Sequence, residues 1–163
     1  MKFEDQHALD KPADVVIRMY TDRKFFERKY KETGCWDIEV LECEKTDTQF
    51  RIKCRYATRS SSNNLPAFAQ KFLGESATVV QQDVWDLRSR TGRLDIEIKG
   101  APVRIVADMT LKDAAKGAVN AMQWNVSCGI PLIGGKLEKL VADDIKSKSS
   151  NDARVSRNIL ADY

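Results

Sequence analysis

Between Cys35 and Cys128 apolar residues recur at every second position, and after Gly129 they recur at helical spacing. That change of period limits the possible folds more than any other feature of the chain. Phe50, Ile52, Cys54 and Tyr56 alternate with Gln49, Arg51, Lys53 and Arg55, which reads as a strand with one wet face. Trp36, Ile38 and Val40 form a second such set, and Leu94, Ile96 and Ile98 a third. Val103, Ile105, Ala107, Met109 and Leu111 give another, followed by Asn120, Met122, Trp124, Val126 and Cys128. Residues 77–87 add a strand, and residues 3–9 make the first of about seven. Turns fall at residues 45–48, 90–93, 100–102 and 112–117, so sequential strands pair antiparallel.

Ile133, Leu137, Leu140, Val141 and Ile145 lie at i, i+4, i+7, i+8 and i+12, one face of a helix. Lys136, Glu138, Lys139, Asp143, Lys146 and Lys148 take the opposite face. A sheet of six or seven antiparallel strands twists and curls, and its concave side needs a cover. This helix is the one element long enough, and its apolar stripe must be buried somewhere. The expected fold is α+β, a helix-grip arrangement in one domain over residues 1–163. Two short helices follow the first strand. One runs from Pro12 to about Tyr20 with Asp10 as its cap. The other covers residues 23–31, buries Phe25, Phe26 and Tyr30, and ends at Gly34. A flexible loop at residues 60–64 leads into a helical insert over residues 66–74, closed by Gly74. The run Ser147-Lys148-Ser149-Ser150-Asn151-Asp152 is polar enough to predict that the last helix breaks or frays there.

Charge and composition exclude several classes of function. Net charge is +3, from 27 basic and 24 acidic residues, with no basic stripe to serve as a nucleic-acid footprint. No apolar run approaches the roughly 20 residues of a membrane span. The first residues are too polar for a signal peptide, so a cytoplasmic location is expected. Cys35, Cys43, Cys54 and Cys128 form no Cys-x-x-Cys pair, and the chain has a single histidine, so no zinc site or other metal is expected. Free thiols used as small apolar residues are the simpler reading.

Catalytic motifs fare no better, and no catalytic residue or cofactor is assigned. Gly134-Gly135-Lys136 lacks the earlier glycine of a phosphate loop, and Leu137 stands where a serine or threonine belongs. These glycines read instead as helix initiation with close backbone contact. His7 has no nucleophile signature beside it and reads as a core or strand-edge residue. Asp83 and Asp86 flank Trp85, and Asp95 alternates with Glu97. Charges at alternate strand positions are ordinarily the solvated face.

The order strand, two helices, strand meander and long final helix resembles the START-like superfamily, which includes the birch-pollen-allergen fold and polyketide cyclases. Three segments resemble a bacterial domain-of-unknown-function family within it: the first strand through Asp10-Lys11-Pro12, Leu65-Pro66-Ala67-Phe68 to Trp85, and Ile130-Pro131-Leu132-Ile133-Gly134-Gly135-Lys136-Leu137-Glu138. The resemblance implies a cavity between sheet and helix that binds a lipid or other hydrophobic small molecule, without assigning any reaction. By alternation, Phe50, Ile52, Tyr56, Ile96, Ile98, Ile105, Met109, Asn120, Met122, Trp124, Leu137 and Val141 are the expected lining. Tyr56, Asn120 and Trp124 would supply its polar groups, and Met122 would adapt to ligand shape. The same apolar faces also suit a filled core, since burying each Leu, Ile or Val stabilises by roughly 1.5–3 kcal/mol on its own. A cyclase-like enzyme and an interaction module with a packed interior therefore stand beside the binding reading.

Overall fold

The structure, a computed structural model, describes residues 1–61 and 64–163. Ser62 and Asn63, in the loop expected at residues 60–64, lie outside the described residues. The elements run β1 (Lys2–Leu9), α1 (Ala13–Tyr20), α2 (Arg23–Glu32), β2 (Trp36–Lys45), β3 (Gln49–Arg59) and α3 (Ala67–Gln70). They continue β4 (Ser76–Asp86), β5 (Thr91–Ile98), β6 (Val103–Ala114), β7 (Gly117–Cys128) and α4 (Gly134–Leu160). All seven strands form one curved sheet in the order β1-β7-β6-β5-β4-β3-β2, and every pairing is antiparallel. The chain meanders from β2 to β7 and closes by pairing β7 with β1. The sheet is therefore the expected one, with α4 along its concave side.

Local chemistry accounts for the departures from expectation. Asp10 does not cap α1; the amide of Ala13 donates to the carboxylate of Asp113 at 2.8 Å, from the far end of β6. The insert at residues 66–74 contains a single helical turn rather than a full helix. The ladder between β6 and β7 runs out to Ala114 and Gly117, so this hairpin turns over two residues and not six. Trp36 is exposed instead of inward. It sits on the edge strand β2, which bulges between Trp36 and Glu39 and again between Val40 and Glu42, and bulges break the alternation of faces. The Arg59 guanidinium covers its ring, 5.6 Å from the centroid. Cys43 on the same strand is exposed, so it is not a core thiol, whereas Cys54 is buried.

The terminal helix neither breaks nor frays at its polar run. Ser147 Oγ donates to the Asp144 carbonyl at 2.8 Å, Lys148 Nζ to the Arg59 carbonyl at 2.8 Å, and Ser149 Oγ to the Asp5 carboxylate. Beyond that run a second apolar face begins, with Ala153, Val155, Ile159 and Leu160 all buried. The helix is thus fixed at both ends by burial and across its middle by side-chain hydrogen bonds. Its start depends on close approach. A Cβ at Gly134 would lie 2.6 Å from the Cys128 carbonyl oxygen, so the glycine lets the helix leave β7 without a gap. Gly92 makes room within the sheet, because a Cβ there would meet the Trp85 ring at 2.8 Å.

Candidate functional site

Beneath the middle of α4 the molecule is hollow. A cavity of about 810 Å³ lies between the concave sheet, α2 and α4. Its sheet wall is built by inward residues of six strands, from Tyr56 on β3 through Val79 and Trp85 on β4, Ile96 on β5, Met109 on β6 and Met122 on β7 to His7 on β1. Tyr20, Phe25, Phe26 and Tyr30 close one end from the helix pair. Leu140 and Val141 contribute from α4, followed by Asp144, Lys148, Ser149 and Asp152. The wall reaches exposed surface at Ser61, Gly74 and Asp143.

Tyr56, Ile96, Ile98, Ile105, Met109, Asn120, Met122, Trp124 and Val141 all stand on this wall, as alternation placed them. Phe50, Ile52 and Leu137 do not. All three point inward and are almost wholly buried, at 1%, 1% and 0% exposure, but in solid packing. Phe50 stacks on Phe26 at 6.0 Å between ring centroids, which fills that end of the sheet. Leu137 lies in the first helical turn, where Gly134 brings α4 down onto β7. Parity assigns a face of a strand; it does not say how far along that face the packing stays solid.

Sequence reasoning missed the polar side of the cavity. Asp83, read as solvated, is buried and lines the wall together with Gln81. Both share parity with Val79 and Trp85 on β4, and that parity was the signal available. The hydroxyl of Tyr56 donates to Gln81 Oε1 at 2.9 Å, and Gln81 Nε2 donates to Asp83 Oδ1 at 2.9 Å. Burial pushes the Asp83 carboxyl up to about 6, against a smaller pull downward from the Lys29 charge. Burial also raises the Tyr20, Tyr30 and Tyr56 hydroxyls, so all three stay protonated as donors. The Cys54 thiol is pushed up to about 12 by the same cause and is no nucleophile.

His7 is at the strand edge, as expected, but its ring faces the cavity. Nε2 lies 3.1 Å from Ser149 Oγ and 3.4 Å from the Asp5 carboxylate, so β1 and α4 are tied together at the wall. Burial lowers its basicity and the Asp5 charge partly restores it. Three buried polar atoms have no hydrogen-bond partner among the described residues: Tyr30 Oη, Asn120 Oδ1 and Trp124 Nε1. All three belong to wall residues. Buried polar groups are nearly always satisfied, and each exception calls for a cause. These three atoms are shielded even from the cavity, so close packing leaves them without a partner.

A curved antiparallel sheet gripping a long terminal helix over such a hollow is the helix-grip, START-like fold. The family model described as "Protein of unknown function (DUF2505)" matches residues 4–160, and the chain belongs to that family. Solved structures share its fold. TTHA0849 from Thermus thermophilus is 15% identical, with 99% of this chain and 97% of that one covered at a TM-score of 0.69. The Zhui aromatase/cyclase from Streptomyces sp. R1128 is 11% identical, with 99% and 93% covered at 0.66. Ara h 8.0201 is 13% identical, with 100% and 99% covered at 0.65. At these identities the likeness is one of fold. No curated protein matches the sequence. No helix among the described residues is long and apolar enough to cross a membrane.

Proposed function

We propose that the protein binds a lipid or other hydrophobic small molecule in the cavity beneath α4 and holds it without transforming it. The observation that carries this reading is the hollow itself, whose volume of about 810 Å³ falls in the range of small-molecule sites. A packed interaction module has no use for such a space, because a void forfeits the contacts that stabilise a core. Residues such as Ile96, Ile105 and Met122 supply apolar surface, and the hydrogen-bonded chain of Tyr56, Gln81 and Asp83 supplies polar groups for orientation. Titration with the neutral fluorophore N-phenylnaphthylamine tests it, alongside native mass spectrometry of gently purified protein. Saturable binding that Met122→Trp weakens by filling the space is expected. No binding of the fluorophore, no co-purifying molecule and no response across a lipid panel would overturn it.

One observation favours a cyclase-like enzyme as a second reading. The cavity holds a carboxyl with a pKa of about 6, connected through Gln81 to a tyrosine, and a group near operating pH can exchange protons with a ligand. Turnover of a bound polyketone analogue, lost in Asp83→Asn, would support it. Binding without turnover leaves the carrier reading.

A further inference from the structure

Asp83 is a buried carboxyl with a single hydrogen-bond donor and no ion-pair partner among the described residues. It is 6% exposed, inward on β4 between Gln81 and Trp85, and the amide of Gln81 is its one hydrogen-bond donor among the described residues. A buried carboxylate is costly unless paired. No lysine or arginine among the described residues forms an ion pair with it. Lys29 of α2 comes into the same cavity, yet its ammonium rests over the rings of Phe25 and Tyr30, 5.8 and 5.7 Å from their centroids. The walls near Asp83 are aromatic. Tyr20 stacks on Trp85 at 5.4 Å, and Tyr30 on Tyr56 at 4.3 Å. A carboxylate among electron-rich rings attracts an organic cation twice, through charge and through the ring faces.

We infer that the ligand is an apolar or aromatic molecule carrying a protonated amine, and that the amine seats against Asp83 within the pocket formed by Tyr20, Tyr30 and Trp85. This rests on the binding reading above and sharpens it to a ligand class. The charges facing Asp83 agree with it. Lys29 and Tyr30 approach from α2, Tyr20 from α1, and Tyr56 and Cys54 from β3; of these Lys29 alone is cationic. Farther along the wall, Asp5 and His7 stand on β1, Arg59 ends β3, and Asp143, Asp144, Lys148 and Asp152 stand on α4, so four carboxylates outnumber the two cations there. Amine binding favours the ionised carboxylate, so affinity must fall as pH drops through the Asp83 transition.

A matched series separates the ligand class from the cavity itself: naphthylethylamine, naphthylethanol and naphthylacetate, each titrated by fluorescence or calorimetry. At about pH 8 the amine should bind roughly tenfold or more tightly than the alcohol, and the acetate most weakly. At about pH 5 that preference should vanish in the wild-type protein. Asp83→Asn should remove the preference while N-phenylnaphthylamine binding persists, and the wild-type pH profile decides the matter even if that variant does not fold. Equal affinity for amine and alcohol, or an amine preference unaffected by acid, overturns the inference and leaves the carrier reading intact. No binding of any of the three, nor of N-phenylnaphthylamine, overturns both.

Discussion

The ends of α4 and its middle face the same sheet and are built in opposite ways. At the ends, Leu137 and Ile159 are each 0% exposed and do not line this cavity. In the middle, Asp144, Lys148, Ser149 and Asp152 span the hollow, the first three held by hydrogen bonds and an ion pair. The ends fix where the helix lies; the middle keeps a space open beneath it. A helix apolar along its whole length would sink into the sheet and fill that space. The interruption in the stripe, which by itself implies a frayed helix, lies over the hollow together with Leu140, Val141 and Ile145.

That contrast makes the ends the most sensitive positions. Leu137→Ala or Ile159→Ala should cost about 2–5 kcal/mol in chemical denaturation. Val141→Ala, on the cavity wall, should cost less than either, because a side chain that borders a void has fewer partners to lose. If Val141→Ala proves the more damaging, the middle is packed as tightly as the ends and the comparison fails.

The next effect comes from the hollow. Asp83 has a folded-state pKa of about 6, raised from 3.8 by burial. The folded protein therefore holds that proton more tightly than the unfolded chain. Stability from this group is complete below the unfolded pKa, falls as pH rises through about 6, and stays lower above it. The loss is on the order of 3 kcal/mol. Other carboxylates slope the opposite way, so the test is the difference between wild type and Asp83→Asn across that window. A flat difference would mean the carboxyl is not desolvated.

The smallest effect belongs to the polar span. Ser149→Ala and Lys148→Ala should each change stability by no more than about 1 kcal/mol, since the partly exposed Lys148–Asp144 pair is screened by solvent. They should alter ligand exchange rates instead, measured by stopped-flow release of the fluorophore. A loss of several kcal/mol would show that the middle anchors the helix as strongly as the ends.

How much is legible in the sequence follows from what periodicity encodes. Alternation along β3 and β5 to β7 gives the strands, their order and their inward faces, and the stripe from Ile133 to Ile145 gives the covering helix. The same alternation puts Tyr56, Met109 and Trp124 on one face, and the structure places them on one wall. It does not tell the packed stretch of that face, with Phe50 and Ile52, from the hollow one, because both are apolar and inward. Asp83 misleads because a charge at an alternate strand position is ordinarily wet, and only its shared parity with Trp85 argues otherwise. The polar run of α4 misleads for a related reason. Its partners Asp5, Arg59 and Ser61 come from β1, the end of β3 and the loop just after it, far away in sequence.

The most direct test of the hollow is diffraction from a crystal held under xenon pressure, since xenon settles against apolar cavity walls such as the one that Met122, Ile105 and Val141 provide. The account predicts xenon density between Met122, Ile105 and Val141, beneath an unshifted α4. Side chains closed over that space, with no xenon bound, would contradict it.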